Sequence, residues 1–230
     1  MTFNFDRDGR LMPDMMSGLW TTLVLLIPTF VIGMLLSIPI ALATRSRLVW
    51  LAQGMNWYNA FMRGAPQLVL LYLVYNGFPR LDFVRHGPLW VFFRDPINCA
   101  IFVFVLNHAS FLSEIWRGAL SNVPKGLVEA SQALGVSRAR TFWQVELPLA
   151  LRIGLPAYRN EVILFIKTTA VVGAITVFDL LGIANQAIDR TYDPFTPLVM
   201  AGFIYWVLVQ IFQTGFNWLE GRLSLAPAGH

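Results

Sequence analysis

The chain has 230 residues, of which 56% are hydrophobic and only 13% charged, with a mean hydropathy of +0.58. Soluble domains carry about 25% charged residues, so water is excluded as the main solvent of this protein. Its formal charge of +4 comes from Lys and Arg scattered between apolar runs, a pattern that orients a chain in a membrane and not one that grips nucleic acid.

In chain order, Asp6, Asp8 and Asp14 outweigh Arg7 and Arg10, so the N-terminus lacks the basic region of a signal peptide. The first apolar run, Leu19 to Ala43, contains no charged residue and ends at Arg45 and Arg47, so a retained anchor is expected. Pro28 and Pro39 are its expected kinks. A second run, about Trp57 to Phe78, has Arg63 near one end, read as a snorkelling anchor and not a ligand. A single cysteine, Cys99, excludes an intrachain disulfide framework and a multi-cysteine metal site. His86, His108 and His230 are too dispersed for a zinc site.

The third run, Ile97 to Ile115, carries Asn107, His108 and Ser110, which would line a solute path or hydrogen-bond between helices. The fourth, Leu155 to Leu181, is the most polar, and the fifth, Phe195 to Leu219, lies within the uncharged stretch from Pro194 to Leu219. The uncharged runs exceed the ~20 residues that cross a bilayer as a helix, and backbone satisfaction in hydrocarbon requires helices. The expected fold is therefore an all-α integral membrane protein with five transmembrane helices. One membrane domain would span 18–220, with tails at 1–17 and 221–230. Five spans put the termini on opposite sides. With the N-terminus outside and the C-terminus cytoplasmic, eight Lys and Arg lie inside (Arg45, Arg47, Arg117, Lys125, Arg138, Arg140, Arg152, Arg222) against six outside.

The longest polar connection, Gly118 to Pro148, then faces the cytoplasm, and its residues predict two short helices. Pro124 suits an early helical position. Leu127, Ala130 and Leu134 share one apolar face. Gly135 can take the left-handed conformation that ends a helix. Ser137 can cap a second helix bearing Phe142 and Val145, closed by Leu147 and Pro148. An amphipathic pair of this kind could rest on the bilayer surface. The small Ala130, Ser131 and Ala133 and the acidic Glu129 favour docking into a protein groove instead.

Glu129, Ala130, Ser131, Gly135, Val145, Leu147 and Pro148 stand at the spacing of the EAA motif, and on them the chain resembles the permeases of ATP-binding-cassette importers. Ser131 replaces the second Ala and Val145 the usual Ile. Phe61 to Pro66, Ser113-Glu114-Ile115 with Arg117-Gly118, Glu161 to Thr169, and Asp179-Leu180-Leu181 are similar to stretches of polar-amino-acid permeases. Two stretches depart from that subfamily: Gly126-Leu127 replaces Gly-Gln, and His108-Ala109-Ser110 replaces Ala-Ala-Tyr. The resemblance implies a type I permease fold in a bacterial inner membrane. It also implies an EAA loop over 124–148 that docks on a separate ATP-binding subunit through Glu129, Ala130, Ser131, Gly135, Leu147 and Pro148. It further implies an outer binding protein that delivers the amino acid. No P-loop pattern occurs, so ATP and Mg would be bound by that partner, with no cofactor and no catalysis in this chain.

The fourth run holds Arg159, Asn160, Glu161, Lys167 and Thr168. Charges at membrane depth usually face an interior or a water-filled cavity. A helix beginning near Arg152 would set Glu161 near the midplane, where transporters hold substrate. Glu161 could attract a substrate ammonium or cationic side chain, with Lys167 or Arg159 on the α-carboxylate. The alternative is that these charges pair with one another or across a permease dimer. Asp179 is expected to cap or pair near the outer end. Five helices are few to enclose a route, so a second permease, identical or paralogous, is expected. An ion-coupled secondary transporter or channel would leave the docking segment unexplained. A membrane enzyme would lack any nucleophile–base pair.

Overall fold

The computed structural model describes residues 10–223, and among these every regular element is helical. The N-terminal helix α1, Leu11–Ala43, starts eight residues before the expected span and passes through Pro28 and Pro39. Its buried side is a stripe that includes Gly18, Thr22, Thr29, Gly33, Ser37 and Ala41. Small residues let two membrane helices approach closely; the stripe meets residues 179–183 at Gly18 and Thr22 and α6, Pro96–Ser121, at Gly33 and Ser37. Thr22 and Thr29 turn their hydroxyls back to carbonyls one turn earlier, at 2.9 and 2.7 Å, so these buried groups are satisfied within the helix.

The segment expected as one helix over Trp57 to Phe78 is two: α2, Val49–Gly64, and α3, Gln67–Tyr72. The break follows from Pro66, which pushes Ala65 into the extended region (φ −80°, ψ 134°). A wide π turn, Leu73–Gly77, and a 3-10 turn, Phe78–Arg80, finish this segment. Two single-turn helices follow, α4 (Asp82–Arg85) and α5 (Trp90–Phe93). Beyond α6 come α7, Lys125–Ala133, and α8, Arg138–Thr141. A π turn at Phe142–Glu146 leads straight into α9, Leu147–Thr168. The long helix then tightens to 3-10 geometry over Thr169–Ile175 and bends by 51° into α10, Leu180–Thr191. The last helix is α11, Phe195–Leu223.

Among the described residues, α1, α6 and α11 are each long and apolar enough to cross a membrane, and the bent pair 138–175 and 180–191 adds a fourth such span. The core has three tiers. At one end Met15, Leu180, Ala184 and Ala201 join α1, α10 and α11. In the middle an aromatic layer sets Phe30 edge-on to Phe165 and Phe212, and Phe104 edge-on to Phe165. At the other end Ala41, Leu112, Trp116, Ala119 and Ala150 join α1, α6 and α9. Here Trp116 donates to the Ser37 hydroxyl at 3.0 Å, and Gly154 lies so close to the indole that an added Cβ would meet it at 2.6 Å.

Candidate functional site

Two groups of residues stand out, an exposed element at one end and a set of polar side chains inside the bundle. The exposed element is α7–α8. Leu134 closes α7, and Gly135 takes φ +78°, the left-handed region that costs glycine nothing. The Gly135 amide donates to the Gln132 carbonyl at 2.9 Å and the Val136 amide to the Ser131 carbonyl at 3.2 Å. This is the paired capping pattern that ends helices in a tight reversal. Ser137 holds the first position before α8 without a side-chain cap bond. Hydroxyl contact across the turn joins Ser131 to the fully buried Thr141 at 3.0 Å.

Val128 packs with Phe142 against the end tier of the core. The apolar face of Leu127, Ala130 and Leu134 points the other way, with Leu127 49% and Leu134 84% exposed. Glu129 is exposed beside it. An amphipathic helix ordinarily buries its apolar stripe, and this one leaves it outside. Leu147 and Pro148 do not close a second helix but open α9. A proline ring clashes with the carbonyl four residues earlier, and for Pro148 that carbonyl belongs to Gln144, within the widened π turn. The exposed element is thereby continuous with α9.

The interior residues divide. Arg159, expected as a carboxylate ligand, is held by α11: it donates to Asn217 at 2.8 Å and to Glu220 at 2.9 Å. Glu161 faces α6, its Oε1 3.9 Å from His108 Nδ1. His108 is fully buried, with Phe30, Phe165 and Tyr158 around its ring, and neither ring nitrogen has a hydrogen-bond partner among the described residues. Its edge abuts Gly33, where a Cβ would stand 2.8 Å from Cδ2. Lys167 lines a cavity of about 620 Å³ between α9 and α11, with Leu181 of α10 also in its wall, and makes no ion pair among the described residues. Asn160 is exposed on the same side of α9, and the Thr168 hydroxyl bonds back to the Leu164 carbonyl at 3.1 Å. Glu161 and Lys167 thus serve different faces of one helix. Because α9 starts at Leu147 and not near Arg152, depth is better measured against α11, where Lys167 shares its cavity with the mid-helix Val209 and Gln210.

Other polar side chains tie helices together. Asn107 donates to the Met62 carbonyl at 2.6 Å, and Ser110 bonds back to its own helix. Asp179 caps α10 through the Gly182 amide at 2.9 Å and accepts from Tyr205 at 2.7 Å. The exposed Arg63 approaches Glu114 at 3.8 Å, a carboxylate that Asn59 and Arg117 also hold at 3.0 and 2.6 Å. Sequence reading missed Asn59, Gln210, Gln213 and Glu220, because a lone amide or acid near an apolar run carries no spacing signal.

A family model described as "Binding-protein-dependent transport system inner membrane component" matches residues 11–225. The octopine transport system permease protein of Rhizobium radiobacter is 37% identical over 209 residues, 91% of this chain and 85% of that protein. The histidine/lysine/arginine/ornithine transport system permease protein of Salmonella typhimurium is 37% identical over 210 residues, 89% of each chain. A crystal structure of an amino acid ABC transporter with histidines superposes with a TM-score of 0.84 at 29% identity, over 96% of this chain and 100% of that one. A chain of an inward-facing methionine ABC transporter shares the fold at a TM-score of 0.77 and 20% identity, over 95% of this chain and 99% of that one.

Proposed function

The chain belongs to the family of binding-protein-dependent transport system inner membrane components, and from that membership we propose that it is the permease subunit of an ATP-driven importer for polar amino acids, basic ones foremost. Relatives whose names carry octopine, histidine, lysine, arginine and ornithine support that substrate class. The single observation that carries the mechanism is the outward apolar face of Leu127, Ala130 and Leu134 beside the Gly135 reversal. A separate ATP-binding subunit docks there through Glu129, Ala130, Ser131, Gly135, Leu147 and Pro148. It binds the ATP and Mg and performs the hydrolysis. Because α8, the π turn and α9 follow without a break, a push on the docking element is delivered to the helix that carries Glu161 and Lys167.

In this reading the chain lies in a bacterial inner membrane with five spans, the second formed by α2 and α3 together. The N-terminus is outside, the loop 124–148 and the C-terminal end are inside, and the membrane domain covers 18–220. The tail residues 1–9 and 224–230 lie outside the described part of the chain. A second permease, identical or paralogous, covers the exposed side of α9 that bears Asn160 and Lys167, since a lysine facing hydrocarbon is costly. A binding protein outside hands over the amino acid. Glu161, with His108 behind it, attracts the cationic end of the substrate. An ion-coupled transporter would have no use for an exposed docking element.

The test is to purify the chain with whatever assembles on it, identify the subunits, and reconstitute the assembly in liposomes. ATP hydrolysis stimulated by arginine, lysine or histidine with a binding protein, together with uptake that stops without ATP, is the expected result. Uptake that proceeds on an ion gradient without an ATP-binding subunit would overturn the assignment.

A further inference from the structure

We infer that the cavity between α9 and α11 is a subsite for the α-carboxylate of the transported amino acid, built by Lys167 with Gln210 and Gln213. The inference rests on the amino-acid permease reading and adds to it two residues of α11 and a division of labour along α9. The cavity has a volume of about 620 Å³, within the range of roughly 300–1,000 Å³ common for small-molecule sites. Its polar lining consists of Lys167, Gln210, Gln213 and Tyr205, against apolar walls that include Ile163 and Trp206. No Asp or Glu lines it among the described residues. A site with one ammonium, two amides and no carboxylate is a receptor for an anion.

Gln210 and Gln213 are three residues apart on α11 and so share one face. Each carboxamide offers two N–H donors, and the lysine offers three on a full positive charge. A carboxylate has two oxygens that accept from several donors, and such charge-assisted bonds are the strong ones. The Tyr205 hydroxyl is already spent on Asp179 at 2.7 Å, which leaves the lysine and the amides as the available donors. Depth adds a reason. The cavity wall includes Val209, the middle residue of the 29-residue α11, and a cation with no ion pair among the described residues is stabilised there by a counter-charge. Arg159, the other cation of α9 in this region, is neutralised by Glu220 and cannot serve.

The two charged stations on α9 are therefore distinct. Glu161 looks toward His108 and Lys167 toward α11, six residues apart, about 9 Å of helix rise.

The assembled transporter, purified in detergent, can be tested by equilibrium binding of radiolabelled arginine, lysine and histidine. Their decarboxylated amines, agmatine, cadaverine and histamine, serve as competitors. Wild type is expected to bind the amino acid at least tenfold more tightly than its amine. Lys167→Met and Gln210→Leu should weaken amino-acid binding about tenfold while leaving the amines within twofold, and Lys167→Arg should retain most of the affinity. Equal weakening of amino acid and amine, or no weakening, overturns the subsite while leaving the permease assignment intact. If Lys167→Met does not assemble, Gln210→Leu and Gln213→Leu decide by the same criterion. Failure of the wild type to bind any of the three amino acids would count against both the subsite and the amino-acid reading.

Discussion

Arg159 and Glu220 form a partly exposed pair joining α9 to α11, with Asn217 as a second acceptor. Removing one partner of such a pair leaves the other uncompensated, which costs more than the pair itself contributes. Arg159→Met should lower stability by about 1–2 kcal/mol after discounting for solvent screening. Glu220→Gln in the same chain should recover most of that loss, as thermal unfolding in detergent would register. A substrate-binding Arg159 would show no such recovery. Glu114 has a similar place between α2 and α6, where Asn59, Arg63 and Arg117 converge on one carboxylate. Neither arrangement was legible beforehand, because which charges meet depends on how helices are registered side by side. The spacing of charges along α9 said that its polar residues share faces. It did not say that Arg159 would meet α11, that Glu161 would meet α6, or that Lys167 would make no ion pair among the described residues.

The exposed α7–α8 element shows the opposite balance. Pro124, the stripe of Leu127, Ala130 and Leu134, and the glycine after it carry enough local information to define α7 and its reversal. The left-handed Gly135 makes a specific demand. A β-branched residue at φ +78° meets its own backbone, at a cost of roughly 1–2 kcal/mol. Gly135→Val is expected to leave the chain in the membrane yet cut ATP-driven uptake at least tenfold, measured in proteoliposomes; uptake at the wild-type rate would show that the reversal transmits nothing. Two boundaries escaped local reading. The π turn at Phe142–Glu146 absorbs Pro148, which by itself signals only a helix end. The bend before α10 sits at Thr176, a β-branched residue held at φ 64°. No propensity points there, since the surrounding packing imposes it. At α2 and α3 the signal was present in Pro66, but the apolar run masked it.

At the scale of the whole molecule, the three tiers of the core separate two exposed ends. One carries Leu134 at the tip of the α7–α8 element, 84% exposed, and the other carries Tyr192 between α10 and α11, 90% exposed. The helical class was readable from composition, because hydrocarbon leaves a chain few alternatives, whereas five spans were expected and up to four segments among the described residues are long and apolar enough to cross. Which ends face which partner is a property of the assembled machine. Those two positions allow it to be measured, since Cys99 is buried and will not compete with an introduced thiol. In membranes containing the full transporter, Leu134→Cys and Tyr192→Cys can be treated with a short bifunctional cross-linker and the adducts identified. Cross-linking of position 134, and not 192, to an ATP-binding subunit is the result expected. Attachment of that subunit at 192, or at neither position, would contradict the coupling role of the exposed helical pair.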